Sequence, residues 1–286
     1  MDKPDGPTSH DVVARARRLF RTRAVGHTGT LDPFATGLLV LLFGGATRLA
    51  RWAGRHPKTY TARIRLGVTT TTDDRTGRVL AEIAPEQWPP AHRVLEALAR
   101  LTGPQSQRPP AYSAKRVAGE RSYRAARRGA AAEPPPALVT VHALDLLEWD
   151  PPLAAVRATV SSGTYIRALG RDLGALLGLG AHLVELRRER IGPWRVEDAT
   201  PLERLTGAEP LLPPAALVAD LPAVELAPEE LDPVCHGRDV ARPGPCEGEA
   251  ALRLGGRLIA VARAVPGGAG WHPAVVLTDG PAQAAS

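Results

Sequence analysis

The sequence predicts an α+β fold, and three observations carry that expectation. Apolar residues recur at helical spacing in some segments and alternate at strand spacing in others. The two kinds of segment mix without a strict strand–helix–strand rhythm, which disfavours a doubly wound parallel sheet. The 286 residues suit one large unit with a small one, and 44% are hydrophobic, enough for a sizeable core. In chain order, Ser9 is placed to cap a helix whose apolar face is Val12, Val13, Ala16, Leu19 and Phe20. Arg15, Arg18 and Arg21 form its other face. Residues 38–43 read as a buried strand and 46–53 as a short helix. Residues 60–66 alternate like a half-buried strand. A helix is expected over 92–101, strands over 139–149 and 154–161, and a helix over 165–177. Residues 209–221, rich in Pro and Ala, read as a linker. Beyond them, residues 250–264 and 274–278 alternate like short strands separated by glycines.

Charge narrows the partner class. The net charge is +6, but residues 1–130 carry 23 basic and 10 acidic side chains, whereas residues 201–286 carry 6 and 11. A polyanion is therefore expected to dock on the first half. The plainer alternative is a solubilising surface. Of the basic residues only Lys3, Lys58 and Lys115 are lysines. A GC-rich coding sequence accounts for that as well as phosphate binding by Arg does. Cys235 and Cys246 lack the four-ligand spacing of a structural zinc site, and no metal is expected. They read as reduced thiols. No signal peptide opens the chain, and no uncharged apolar run approaches the ~20 residues of a membrane helix. A cytoplasmic protein without membrane partners is expected.

The chemically richest stretch is Gly26-His27-Thr28-Gly29-Thr30-Leu31-Asp32-Pro33-Phe34-Ala35-Thr36-Gly37-Leu38-Leu39. Glycines permit backbone shapes closed to other residues, and Pro33 restrains both itself and Asp32. One carboxylate is thus held on a loop, where chemistry concentrates. Taken alone, Asp-Pro is more often just a turn. The stretch meets every fixed position of GHTGxLDPxATGLL, and further blocks accompany it in order. Residues 2–9 read DKPDGPTS, residues 60–67 YTARIRLG, residues 109–114 PPAYSA, and residues 163–167 GTYIR. Asp172-Leu173-Gly174 and Leu186-Arg187-Arg188 complete the set. Together these blocks resemble the bacterial tRNA pseudouridine-55 synthase family over residues 2 to about 192. There are three departures. Relatives usually have an apolar strand ahead of DKP; Thr71 replaces an Asp of TDTxDxxG; and Arg116 replaces a Lys.

The resemblance implies a pseudouridine synthase fold over 1–208 with a mixed sheet and a basic RNA-gripping insertion at about 104–136. It also implies a small β-rich PUA-like RNA-binding domain over 222–286. The implied reaction isomerises uridine 55 in the T-arm of tRNA to pseudouridine, with base flipping and no cofactor. Asp32 is the implied catalytic carboxylate and Arg167 its partner. Tyr60 is implied to stack on uracil and to help move a proton. The plainer readings are a core tyrosine for Tyr60 and a surface arginine for Arg167. His27 is implied to fill the space of the everted base, with Thr28, Gly29, Thr30, Tyr165 and Leu186 also lining the substrate site. Lys3 and Pro4 are expected to brace the catalytic loop, and Asp74 to order a neighbouring loop. Arg121, Arg124 and Arg128 fall on one helical face of the insertion and are expected to grip phosphates. The implied partner is tRNA, with a monomeric enzyme and no obligate protein partner. Three rivals remain: a guide-dependent dyskerin-like synthase, a non-catalytic RNA-binding or RNA-folding protein, and a glycoside hydrolase. The last would want paired carboxylates.

Overall fold

The computed structural model describes residues 1–110, 116–117, 120–121, 135–242 and 247–277. Strand β1 (Asp2–Lys3) leads into helix α1 (Ser9–Leu19), then β2 (Val25–His27), β3 (Thr36–Leu38) and β4 (Leu41–Phe43). Helix α2 (Ala50–Arg55) follows a 3-10 turn over Gly44–Leu49. Next come β5 (Lys58–Leu66), β6 (Val68–Thr70), β7 (Val79–Glu82), α3 (Ala91–Arg100) and β8 (Gly103–Gln107). Strands β9 (Arg116–Val117) and β10 (Glu120–Arg121) pair antiparallel. Strands β11 (Ala137–Asp150) and β12 (Leu153–Val160) precede α4 (Ile166–Leu176), β13 (Ala181–Ile191) and β14 (Trp194–Arg195). The chain ends through β15 (Ala223–Glu225), α5 (Leu231–Cys235), β16 (Glu249–Leu254), β17 (Arg257–Ala264) and β18 (Trp271–Val276). The α+β expectation holds, with a mixed sheet.

Two compact units interleave along the chain. The first gathers residues 1–12, 30–39 and 55–204; the second gathers 13–29, 40–54 and 205–286. The sequence placed residues 1–208 together, so the assignment of 13–29 and 40–54 is a difference. Its physical reason lies inside the second unit. Glu249 accepts the Trp52 indole N–H at 2.8 Å and pairs with Arg51 at 2.8 Å. These partners are nearly 200 residues apart, and no local pattern announces them.

The first unit is built on a sheet in the order β1-β3-β13-β5-β12-β11-β8, with β14 on β13. Among the described residues, β13–β3 is the one parallel strand pairing of this sheet. Strand β5 shows why it lies central: Tyr60, Ala62, Ile64 and Leu66 face inward at alternate positions. Helix α3 buries Val94, Ala97 and Leu98 at helical spacing. Helix α4 carries Gly174, where a Cβ would collide with the backbone of Gly180 and Ala181. Glycine lets α4 lie close to the start of β13.

In the second unit β15, β16, β17 and β18 form a sheet over a core containing Leu226, Leu252, Ile259 and Trp271. Strands β2 and β4 pair separately. The expected strand over 38–43 is therefore two strands in different units. Helix α1 stops at Leu19 because Arg21 adopts a left-handed backbone, φ 50°, so Arg21 is not on its face. The start of the expected insertion is a sheet strand, since β8 pairs with β11. Arg121 stands on β10 rather than on a helix. The side chains of Arg121, Arg124 and Arg128 lie outside the described residues, as does Cys246.

Candidate active site

Asp32 opens a tight turn in which the Ala35 N–H bonds back to the Asp32 carbonyl at 3.1 Å, with Pro33 at the second position. Three devices fix this turn within the first unit. The fully buried Lys3 donates to the carbonyls of Pro4 at 2.7 Å, Pro7 at 2.9 Å and Pro33 at 3.1 Å. Its three N–H groups thus tie the opening segment to the residue after Asp32. The Ser9 hydroxyl accepts from the Leu31 N–H at 2.8 Å and donates to the Leu31 carbonyl at 3.1 Å. Gly37, φ 101°, lies so close to β13 that a Cβ would collide with the Arg188 backbone. The expected cap is thereby corrected. Thr8 caps α1, its hydroxyl accepting from the Asp11 N–H at 3.1 Å while the Asp11 carboxylate accepts the Thr8 N–H at 2.9 Å. Ser9 instead latches the loop.

The carboxylate meets a guanidinium side-on. Arg167 Nε lies 2.9 Å from Asp32 Oδ2, and Arg167 Nη2 donates to Oδ1 at 3.2 Å. The Arg167 side chain is 5% exposed and that of Asp32 33%, so the anion has the open side. Arg167 Nη1 donates to the Thr72 carbonyl at 2.8 Å and lies 3.5 Å from Asp74 Oδ2. Asp74 is buried, and its Oδ1 accepts from the Thr72 hydroxyl at 2.7 Å and the Thr76 N–H at 2.9 Å. These bonds tie Asp74 to Thr72 and Thr76 of its own loop, while its other oxygen faces Arg167. Thr71, at the departure from the family pattern, accepts the Arg78 N–H at 3.1 Å.

Burial pushes the Asp32 carboxyl above the usual carboxylate range. Arg167 and, less strongly, Lys3 pull against that rise, while Asp74 adds to it. Burial also lowers the Lys3 ammonium to about 8. A carboxylate with one open face and a buried cation behind it can act as a nucleophile or take a proton.

The remaining expected residues divide. Tyr60 is buried on β5 opposite Arg188 of β13, whose guanidinium lies 6.0 Å from its ring centre. Arg188 is itself buried, and its Nε donates to the Leu38 carbonyl at 2.7 Å. Leu186 is buried on the same strand. Tyr165 precedes α4, and its backbone N–H and carbonyl bond the amide of Gln107 at 2.8 and 3.1 Å. Thr30 is exposed in the first unit. His27, Thr28 and Gly29 belong to the second unit. There His27 Nδ1 accepts the Gly29 N–H at 3.2 Å, which leaves any ring proton to Nε2. The Thr28 N–H bonds the Val40 carbonyl at 3.2 Å. Sequence reasoning missed Ser9 as a latch, the Thr72 carbonyl and Gln107. Ser9 and Thr72 lie in quoted motifs, whereas Gln107 carries no local signal.

The family model described as "TruB family pseudouridylate synthase (N terminal domain)" matches residues 17–166. That described as "tRNA pseudouridylate synthase B C-terminal domain" matches residues 167–211. The chain belongs to the tRNA pseudouridine synthase B family. It is 45% identical over 276 residues to the tRNA pseudouridine synthase B of Thermobifida fusca, covering 92% of each chain. It is 41% identical to that of Dechloromonas aromatica, covering 96% of this chain and 94% of the relative. Among solved structures it is similar to a chain of a Cbf5-Nop10-Gar1 complex, with a TM-score of 0.75 at 26% identity. It is also similar to a chain of an H/ACA RNP bound to a substrate RNA containing 2′-deoxyuridine, with a TM-score of 0.73 at 26% identity. Each structural match covers 97% of this chain and 83% of the other. The guide-dependent rival therefore stands as the more distant likeness.

Proposed function

We propose that this protein is a stand-alone tRNA pseudouridine synthase that isomerises uridine 55 in the T-arm to pseudouridine. The observation that carries the reading is the Asp32 carboxylate gripped side-on by a buried Arg167, in a chain of this family. The reaction breaks the C1′–N1 bond, turns the base and forms C1′–C5. N1 gains a proton and C5 loses one. No atom or electron is gained or lost overall, so the chemistry itself demands no redox partner or cofactor. Asp32 supplies the group that the separated sugar or base requires, by attack at C1′, by addition at C6, or by taking a sugar proton. Arg167 keeps Asp32 charged and oriented. Tyr60 stacks on the uracil and its hydroxyl helps carry the C5 proton. A uridine within a folded arm must leave its stack, at a cost of a few kcal/mol, and His27 fills the space it vacates.

The same reading places phosphate grip on residues 104–136, with Arg121, Arg124 and Arg128, and a modest RNA contact on a PUA-like part over 222–286. It is of a cytoplasmic monomer that needs no obligate protein partner. Among the described residues no helix is long and apolar enough to cross a membrane.

The test is incubation with a pre-folded T-arm hairpin in chelator and without guide RNA, read by chemical labelling because pseudouridine has the mass of uridine. One labelled position in the loop is expected. No label would reject the reading. Activity lost in chelator and restored by one metal would reject its cofactor-free form.

A further inference from the structure

Arg167 is fixed at its guanidinium by Asp32, Thr72 and Asp74, but its other end depends on where α4 begins. Arg167 is the second residue of that helix, so a slip of one residue at the start would swing its side chain by about 100°. The N-terminus of a helix is also its loosest point, because the first N–H groups lack partners within the helix. Tyr165, the residue before α4, is extended (φ −99°, ψ 114°) and has no side-chain cap. The Leu169 N–H bonds its carbonyl at 3.2 Å, and the rest of the hold comes from another element. Gln107, at the end of β8 and 1% exposed, accepts the Tyr165 N–H through Oε1 at 2.8 Å and donates through Nε2 to the Tyr165 carbonyl at 3.1 Å. One side-chain amide thus reads both polar groups of a single peptide residue, and either bond requires the other's geometry. Strand β8 is tied into the sheet by its pairing with β11, with Gln107 opposite Ala137. The next residue reinforces the grip: the Arg108 carbonyl accepts from Arg171 Nη2 at 2.9 Å, one helical turn beyond Arg167. Arg171 also pairs with Asp73 at 3.2 Å, beside the Asp74 loop.

We infer that Gln107 is a positioning residue for the reaction, setting the start of α4 so that Arg167 meets Asp32 through two of its nitrogens. The inference rests on the function proposed above. Replacing Gln107 with Met removes both bonds at similar length. Replacing it with Glu keeps an acceptor for the Tyr165 N–H and removes the donor.

The experiment compares full-length wild type, Gln107→Met and Gln107→Glu on a T-arm hairpin. It measures RNA affinity, single-turnover rate at saturation and the acid side of the pH–rate profile. For Gln107→Met, affinity should stay within about twofold while the rate falls about tenfold or more. The acid limb should move to higher pH, because the charged groups facing Asp32 are Arg167, Lys3 and Asp74, and only the grip of Arg167 is loosened. Gln107→Glu should fall between. In an Arg167→Lys background the Met change should cost less than about twofold, since the side-on pair it serves is already lost. A folded Gln107→Glu or Gln107→Met enzyme with wild-type rate and an unmoved acid limb would overturn the inference. So would an undiminished effect of either change in the Arg167→Lys background. Absence of pseudouridine formation by wild type would instead strike the proposed function.

Discussion

Asp32 and Arg167 form a pair in which the cation is enclosed and the anion keeps one open face. The enclosed partner is the expensive one to strand, because a buried charge that loses its counterion keeps its full desolvation cost. Asp32→Asn keeps the turn and removes the charge. Pseudouridine formation should fall by far more than tenfold, a barrier change well beyond about 1.4 kcal/mol, with tRNA binding retained. Residual turnover within that tenfold would remove Asp32 from the chemistry. The pH dependence has a definite sign. Burial raises the Asp32 carboxyl, so the ionised form is lost at a higher pH than the usual ~3.9 for Asp. Single-turnover rates measured downward from neutral pH should therefore decline above that value. A profile flat to pH 4 would show that Arg167 dominates over burial. Arg167→Lys retains charge but cannot approach both carboxylate oxygens in the same plane. Its rate at saturation should drop steeply with little change in affinity. Weak binding with normal turnover would put Arg167 on the RNA backbone instead.

At the scale of elements, the site is a loop clamped by its neighbours. Helix α1 starts where the Ser9 hydroxyl meets Leu31, and β1 carries Lys3 to Pro33. Ser9→Ala strands a buried N–H and a buried carbonyl on Leu31, each costing about 1–3 kcal/mol when left unsatisfied. Denaturant unfolding should show a loss of about 2 kcal/mol or more, with slower turnover from a looser Asp32. Unchanged stability would mean water replaces the hydroxyl. Much of this level was legible: α1, α3, α4, β5, β11 and β12 followed from periodicity. Strand β13 did not, although it joins β3 to β5 at the heart of the sheet. Its sequence carries Arg187, Arg188, Glu189 and Arg190, which masks alternation. Arg188 is buried there because the Leu38 carbonyl pairs with it, a partner 150 residues away.

At the scale of the molecule, charge and connectivity point in different directions. The basic excess lies in residues 1–130, yet that stretch contributes to both compact units. Changing Arg121, Arg124 and Arg128 together to Gln removes three charges from the segment assigned to phosphate grip. Each lost phosphate contact should lower the salt slope of binding by about one. Titration at several salt concentrations should show weaker binding and a flatter slope, with saturated turnover falling less than affinity. An unchanged slope would move the RNA contact to Arg15 and Arg18 of α1.

The sequence by itself determined the α+β class, the Asp32 turn, the family, and the pairing of Asp32 with Arg167 through the family motifs. Those are short-range or motif-borne properties, written in glycines, prolines, periodicity and adjacent blocks. Only the tertiary structure decided the side-on geometry of that pair, the Ser9 latch, the Gln107 clamp and the interleaving of residues 13–29 and 40–54 with 205–286. Each joins groups 22 to nearly 200 residues apart. Burial forces such groups to find partners, and the choice of partner is made by packing, which no local pattern encodes.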